Sequence, residues 1–270
     1  MTRIALELNF VNHILPSGGA AGFSYLGWVL GRYGVKASRT TMSQIVRFML
    51  TFVAFVLILI IAVVILAVDH RIDRVILLLS GLLVIICVTV IFGTIFVIGN
   101  ARRLKIFSNG LTRFVNKFVA WITRGKKPAA VPADLISNFF SDLHDDYLAI
   151  RKDKRILIRP FIWAVMANVA DVALIWIAFW SLGFIVSPAI LFVAFGVSSL
   201  ASVISVTPGG AGVYEAIMIA FLASSNIPAD VAIAGTLLAR VTLVLGTILF
   251  GYIFYQLTVL KYGRRTPLGK

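Results

Sequence analysis

The stretch Thr207-Pro208-Gly209-Gly210-Ala211-Gly212-Val213-Tyr214-Glu215 interrupts a long apolar tract. From it the chain passes through a short helical segment and a turn at Asn226-Ile227-Pro228, and then sets a single arginine, Arg240, in a long hydrophobic run. Proline removes a backbone donor and clustered glycines favour non-helical dihedrals, so the helix has to break here. At membrane depth, broken backbone persists only where protein or a wet cavity satisfies its polar groups. The stretch therefore reads as the wall of a site.

Membrane depth is the right frame because 60% of the 270 residues are hydrophobic and only 13% are charged. This composition lies outside the range of soluble domains and defines an all-α, polytopic integral membrane helical bundle, read as one domain over 1–270. The formal net charge of +14 would suggest nucleic acid in a soluble protein. Here the Lys and Arg residues flank apolar spans, where they set orientation and meet anionic lipid, so nucleic acid is not an expected partner. Cys87, the lone cysteine, lies in an apolar run, which excludes an intrachain disulfide and a cysteine-based metal site. Residues 1–13 carry Arg3 and Glu7 and lack a clean apolar core, so no cleavable signal peptide is expected.

Working outward, residues 1–15 are only partly apolar and lead into Leu15-Pro16-Ser17-Gly18-Gly19-Ala20-Ala21-Gly22, a second copy of the opening pattern. A short helix over 23–31, a basic turn over 32–39 and a helix running from about 40 to 68 follow. Further spans are expected over 75–98, 161–182 and 188–206, and a long helix over about 229–260. Between them, residues 101–159 hold thirteen Lys or Arg against five Asp. Phe107, Leu111, Phe114, Val115, Phe118, Trp121 and Ile122 recur there at helical spacing among basic residues, the pattern of an amphipathic helix on the membrane surface. A second helix is expected over 134–153. Its Asp142, Asp145 and Asp146 read as a solvated acidic face and not as a metal cluster. The positive-inside rule places the 101–159 loop and the C-terminus in the cytoplasm of a prokaryotic cell, with the loops at 69–74 and 183–187 outside its inner membrane.

Setting Pro16 on Pro208 brings Val35 onto Ile227 and Arg47 within one position of Arg240. Each copy is a Pro/Gly break, a short helix, a turn and a long helix with one arginine. The first copy covers about 12–68, the second about 187–260, and the amphipathic region about 101–155 lies between. The first turn holds Arg32, Lys36 and Arg39, whereas residues 224–230 hold no Lys or Arg, so the copies are expected to cross the membrane in opposite senses. Inverted repeats with broken, re-entrant helices meeting near the midplane belong to alternating-access designs. Residues 1–13 are too few and too polar to supply a leading helix for the first copy, and a preceding N-terminal helix is expected to be missing from the chain.

A membrane-centred arginine costs about 2.5–3.5 kcal/mol on insertion scales and so requires a partner or a polar cavity. For Arg240 the partner is Glu215, either as a structural ion pair or as part of a site in which the guanidinium grips an anionic group such as a lipid phosphate. Arg47 is the matching candidate, with interfacial snorkelling as its alternative. Pro208, Gly209, Gly210, Gly212, Gly18, Gly19 and Gly22 either permit close packing or present free backbone donors to a phosphate. Asp171, one turn beyond Asn168, reads as a proton or cation relay or as a buried hydrogen-bonded aspartate. His13 and Asn12 precede the first break. No nucleotide loop, Ser-His-Asp set, zinc spacing or glycosyltransferase acidic motif is present, so no catalytic residue, metal or cofactor is assigned.

Residues 208–215, with Ala239-Arg240 and the later Gly246 and Gly251, resemble the flippase-like membrane family, also called the lysylphosphatidylglycerol synthase transmembrane region. The segment from Asn12 to Gly22 looks like that family's first motif. The resemblance implies a membrane protein related to a domain that moves aminoacylated phosphatidylglycerol between leaflets, with relatives in polyprenyl-linked glycan and other lipid pathways. Phe23 and Ser24 stand where an acidic residue is often found, which argues against a symmetrical site. No aminoacyl-transferase domain follows Lys270, so the chain is not expected to synthesise lysyl-lipid. The expectation is a protein that translocates or handles an anionic lipid or lipid-linked intermediate. The alternatives are a membrane transferase or an accessory subunit that works with a lipid-modifying enzyme.

Overall fold

The computed structural model describes residues 2–14, 20–68, 74–122, 133–205 and 207–262. The regular elements among them are all helical. They are α1 (Thr2–Ile14), α2 (Ala20–Gly31), α3 (Ala37–Val68), α4 (Arg74–Ile98), α5 (Ala101–Ile122) and α6 (Ala133–Lys152), a 3-10 turn at Lys154–Leu157, α7 (Ile158–Ser181), α8 (Pro188–Ile204), a second 3-10 turn at Pro208–Gly210, α9 (Val213–Ser224) and α10 (Ala229–Tyr262). Gly18, Gly19 and most of the first break lie outside the described residues.

Among the described residues, four helices are long and apolar enough to cross a bilayer: α3, α4, α7 with the 3-10 turn before it, and α10. The segment at 188–206, expected as a further span, yields α8, which at 17 residues is shorter than these. It is instead the most enclosed helix, with Leu191, Val193 and Ala194 shut off from solvent. A helix surrounded on all sides can be apolar all round, which explains why its sequence shows no polar face. α8 packs on α9, and α3, α4 and α7 pack around it. Phe55, Leu59, Cys87, Phe179, Met218 and Leu222 fill the space between them. Outward faces carry large apolar side chains such as Leu78, Phe92, Trp163 and Leu245, which suits a protein whose lateral solvent is hydrocarbon.

Residues 2–14 form the short helix α1, whose charges find partners. Glu7 is fully enclosed and accepts hydrogen bonds from Arg3 Nε (2.9 Å), Thr258 Oγ1 (2.7 Å) and Tyr25 Oη (2.8 Å). α1 runs antiparallel to α10: Arg3 reaches Thr258, Phe10 sits on Gly251, and the His13 carbonyl lies beside Gly209, close to Arg240. The stretches on either side of the core have similar element lengths. α2 and α9 each have 12 residues, and α3 and α10 have 32 and 34.

α5 and α6 pair through contacts such as Phe107 edge-on to Phe140, with centroids 6.1 Å apart. Two of the three acids of the solvated face also hold α6 to the basic turn and first residues of α3. Lys36 meets Asp142 at 3.2 Å and Arg39 meets Asp146 at 3.5 Å. The basic turn before α3 and the acidic face of α6 therefore lie together on one side of the molecule.

Candidate functional site

The chain leaves α8 through a corner built on left-handed backbone: φ is 57° at Gly209, 73° at Gly210 and 89° at Gly212. Two of these positions are constrained in different ways. At Gly210 a Cβ would stand 2.4 Å from the Ser202 Cβ, so both conformation and space demand glycine; at Gly212 nothing lies within 4 Å, so only the backbone angle does. The turn that begins at Pro208 closes with Gly210 N–H donating to the Thr207 carbonyl at 3.0 Å, and Thr207 Oγ1 donates to the Ala211 carbonyl at 2.9 Å.

Glu215, in the first turn of α9, serves two neighbours. Its Oε2 accepts the Gly212 N–H at 2.6 Å, which caps the helix, and its Oε1 meets Arg240 Nε at 2.8 Å. Arg240 also donates through Nη2 to the Gly209 carbonyl, and its guanidinium carbon lies 4.9 Å from the Tyr214 ring centre. The predicted partners thus come together, and the arginine binds the same glycine corner that the sequence singled out. Both side chains are largely enclosed, at 15% and 13% exposure. An ion pair with this little water contact loses stability when one partner is removed, because the other is left uncompensated.

The remaining candidates divide into three places. His13 and Asn12, at the end of α1, adjoin the corner and the start of α2. His13 hydrogen-bonds the Asn9 carbonyl through Nδ1 at 2.9 Å, and Asn12 packs against Gly22, where a Cβ would lie 2.2 Å from Asn12 Oδ1. Asp171 lines a small cavity of about 30 Å³ together with Tyr214, Thr236 and Arg240. Asn168 does not extend this polar group; its amide donates to the Ala164 carbonyl at 2.9 Å. Arg47 lines a different and much larger cavity of about 1180 Å³ bounded by α1, α3, α6 and α7. Asn9, Arg39 and Asp146 supply its other polar walls, and Ile156, Pro160 and Trp163 supply apolar ones. Arg47 makes no ion pair among the described residues; its guanidinium carbon lies 5.7 Å from the Phe48 ring centre. Sequence reasoning missed Glu7 as a polar centre. The Arg3–Glu7 spacing of four was the available signal, and it becomes meaningful only once residues 2–14 are taken as a helix.

Four bilayer-length helices around an enclosed broken pair, with a buried ion pair at the break, define a multi-pass helical membrane protein. The chain belongs to the lysylphosphatidylglycerol synthase transmembrane region family, whose sequence profile matches residues 1–251. It is also similar to a UPF0104 membrane protein of Methanocaldococcus jannaschii, at 40% identity over 91 residues. That match covers 33% of this chain and 27% of the relative, so it spans about a quarter of the relative's length. No solved structure matches the chain.

Proposed function

We propose that this protein translocates an anionic lipid or lipid-linked intermediate across the inner membrane of a prokaryotic cell, with its C-terminus in the cytoplasm. The observation that carries the reading is the cleft of about 1180 Å³ in which Arg47 has no carboxylate of its own. An arginine with free donors beside an apolar wall suits a phosphate at one end and acyl chains at the other. The family's description names a lysylated phosphatidylglycerol, which makes a phospholipid headgroup the natural class of cargo.

On this reading the two stretches of like element length are inverted repeats, and the helix pairs α1–α2 and α8–α9 are their broken, re-entrant arms. The corner at Pro208, Gly209 and Gly210 is the closed half of the pathway, and the Arg47 cleft is the open half. Arg240 contacts the headgroup only in a second state, after it exchanges Glu215 and the Gly209 carbonyl for the phosphate. This exchange gives the glycines their role, since left-handed corners can reorient without a side chain in the way.

The test is a reconstituted assay. Proteoliposomes carrying fluorescently labelled phosphatidylglycerol are followed as label moves between leaflets. The wild type is expected to accelerate movement, Arg47→Ala to slow it by about tenfold or more, and Arg240→Met combined with Glu215→Gln, which leaves no uncompensated charge, to abolish it. Unchanged movement in both variants would remove the proposed pathway.

A further inference from the structure

We infer that Asp171, Thr236 and Tyr214 form a site for one small monovalent cation, a proton or Na⁺, between α7 and α10 beside the Arg240–Glu215 pair. The first support is charge. The groups that face Asp171 across the cavity are Tyr214 on α9 and Arg240 on α10, with Glu215 behind the arginine. The guanidinium is already engaged by Glu215 and the Gly209 carbonyl, and Asp171 makes no ion pair among the described residues. Asp171 lies about 20 Å along α7 from Ile158 at 1.5 Å per residue, well inside a hydrocarbon core of about 30 Å. A second, unshared negative charge there requires neutralisation.

The second support is an unsatisfied group. Thr236 is 2% exposed, and its Oγ1 has no hydrogen-bond partner. Four other helical threonines spend the hydroxyl on the carbonyl four residues back, Thr51 on Arg47, Thr94 on Val90, Thr112 on Ser108 and Thr242 on Leu238, and Thr258 spends it on Glu7. Thr236 does neither, and it lines the same cavity as Asp171. Buried hydroxyls are seldom left without a partner, so this one marks a missing ligand.

The third support is size. A cavity of about 30 Å³ accepts a water molecule or a small cation held through one. A phosphate headgroup does not fit, so the inference is independent of the lipid reading and of the Arg47 cleft. An occupied site neutralises the excess charge and leaves Arg240 on Glu215; a vacant one leaves Asp171 competing for the same guanidinium.

The test uses the full chain in nanodiscs of uncharged lipid, which removes any contribution from anionic headgroups. Tm is measured at constant ionic strength while Na⁺ replaces choline, and separately while pH is lowered without Na⁺. The wild type is expected to gain Tm in one of the two titrations, which identifies the ion as Na⁺ or the proton. Asp171→Asn is expected to lose that response. Thr236→Val is expected to shift its midpoint about tenfold in ion concentration, and Thr236→Ser to restore it. Because Thr236→Val and Thr236→Ser differ little in size, they keep the test decisive if Asp171→Asn does not fold. A wild type that responds to neither ion, a response that survives in Asp171→Asn, or an unshifted midpoint in Thr236→Val would overturn the site.

Discussion

Arg240 and Arg47 stand at matching places in two similarly built stretches, and the molecule treats them in opposite ways. Arg240 is held by a carboxylate, a carbonyl and an aromatic face, beside a cavity of about 30 Å³. Arg47 lines a cleft of about 1180 Å³ and pairs with no acid among the described residues. The offset that sets Pro16 on Pro208 sets Phe23 on Glu215, and Phe23 stacks on Phe48 with centroids 5.6 Å apart, so that position offers Arg47 no carboxylate. A membrane arginine must be compensated, and at Arg240 the protein itself does so.

The largest way to break this contrast is to remove the acid that closes the Arg240 side. Glu215→Gln leaves a mostly enclosed guanidinium with a neutral partner and should lower stability by about 3–5 kcal/mol, the usual range for orphaning one member of a buried pair. Adding Arg240→Met should recover part of the loss, since the uncompensated charge is then gone. Denaturant unfolding in mixed micelles measures both. A loss below about 1 kcal/mol for Glu215→Gln would mean that the pair does not hold the corner.

A smaller effect separates conformation from space within that corner. Gly210→Ala combines a left-handed φ of 73° with a Cβ placed 2.4 Å from the Ser202 Cβ. Gly212→Ala keeps only the backbone penalty, about 1–2 kcal/mol for a residue with a Cβ. The first should therefore destabilise clearly more than the second, read as the difference in unfolding midpoint at equal slope. Equal effects would show that Ser202 yields freely and that α8 does not grip the corner.

Much of this arrangement was legible in the sequence, and the limits have physical reasons. Pro208 and the glycines after it announced the break because their backbone chemistry is local. The Arg240–Glu215 pair followed because a mid-membrane charge has few partners to choose from. The polar centre at Glu7 was hidden, since Thr258 comes from the far end of the chain and Tyr25 from beyond the first break. For the same reason Arg3 and Glu7 read as polar interruptions until their partners are known. The enclosure of α8 was not legible either, because an enclosed helix and a spanning one are equally apolar. The Arg47 cleft could not be read at all, because a cavity bounded by four helices leaves no signature in any one of them.

The smallest expected effect on stability is at Arg47, and it sharpens the contrast most. With no ion pair to lose among the described residues, an exposed side chain and only the Phe48 ring contact, Arg47→Ala should change the unfolding free energy by no more than about 1 kcal/mol. The same variant should carry less phosphatidylglycerol through purification, measured by native mass spectrometry against the wild type. Arg47→Lys should retain an intermediate amount, because an ammonium keeps the charge but not the paired donors that fit a phosphate. If Arg47→Ala instead unfolded as readily as Glu215→Gln, the first arginine would be as structural as the second. The difference between a closed and an open side would then lose its meaning for transport.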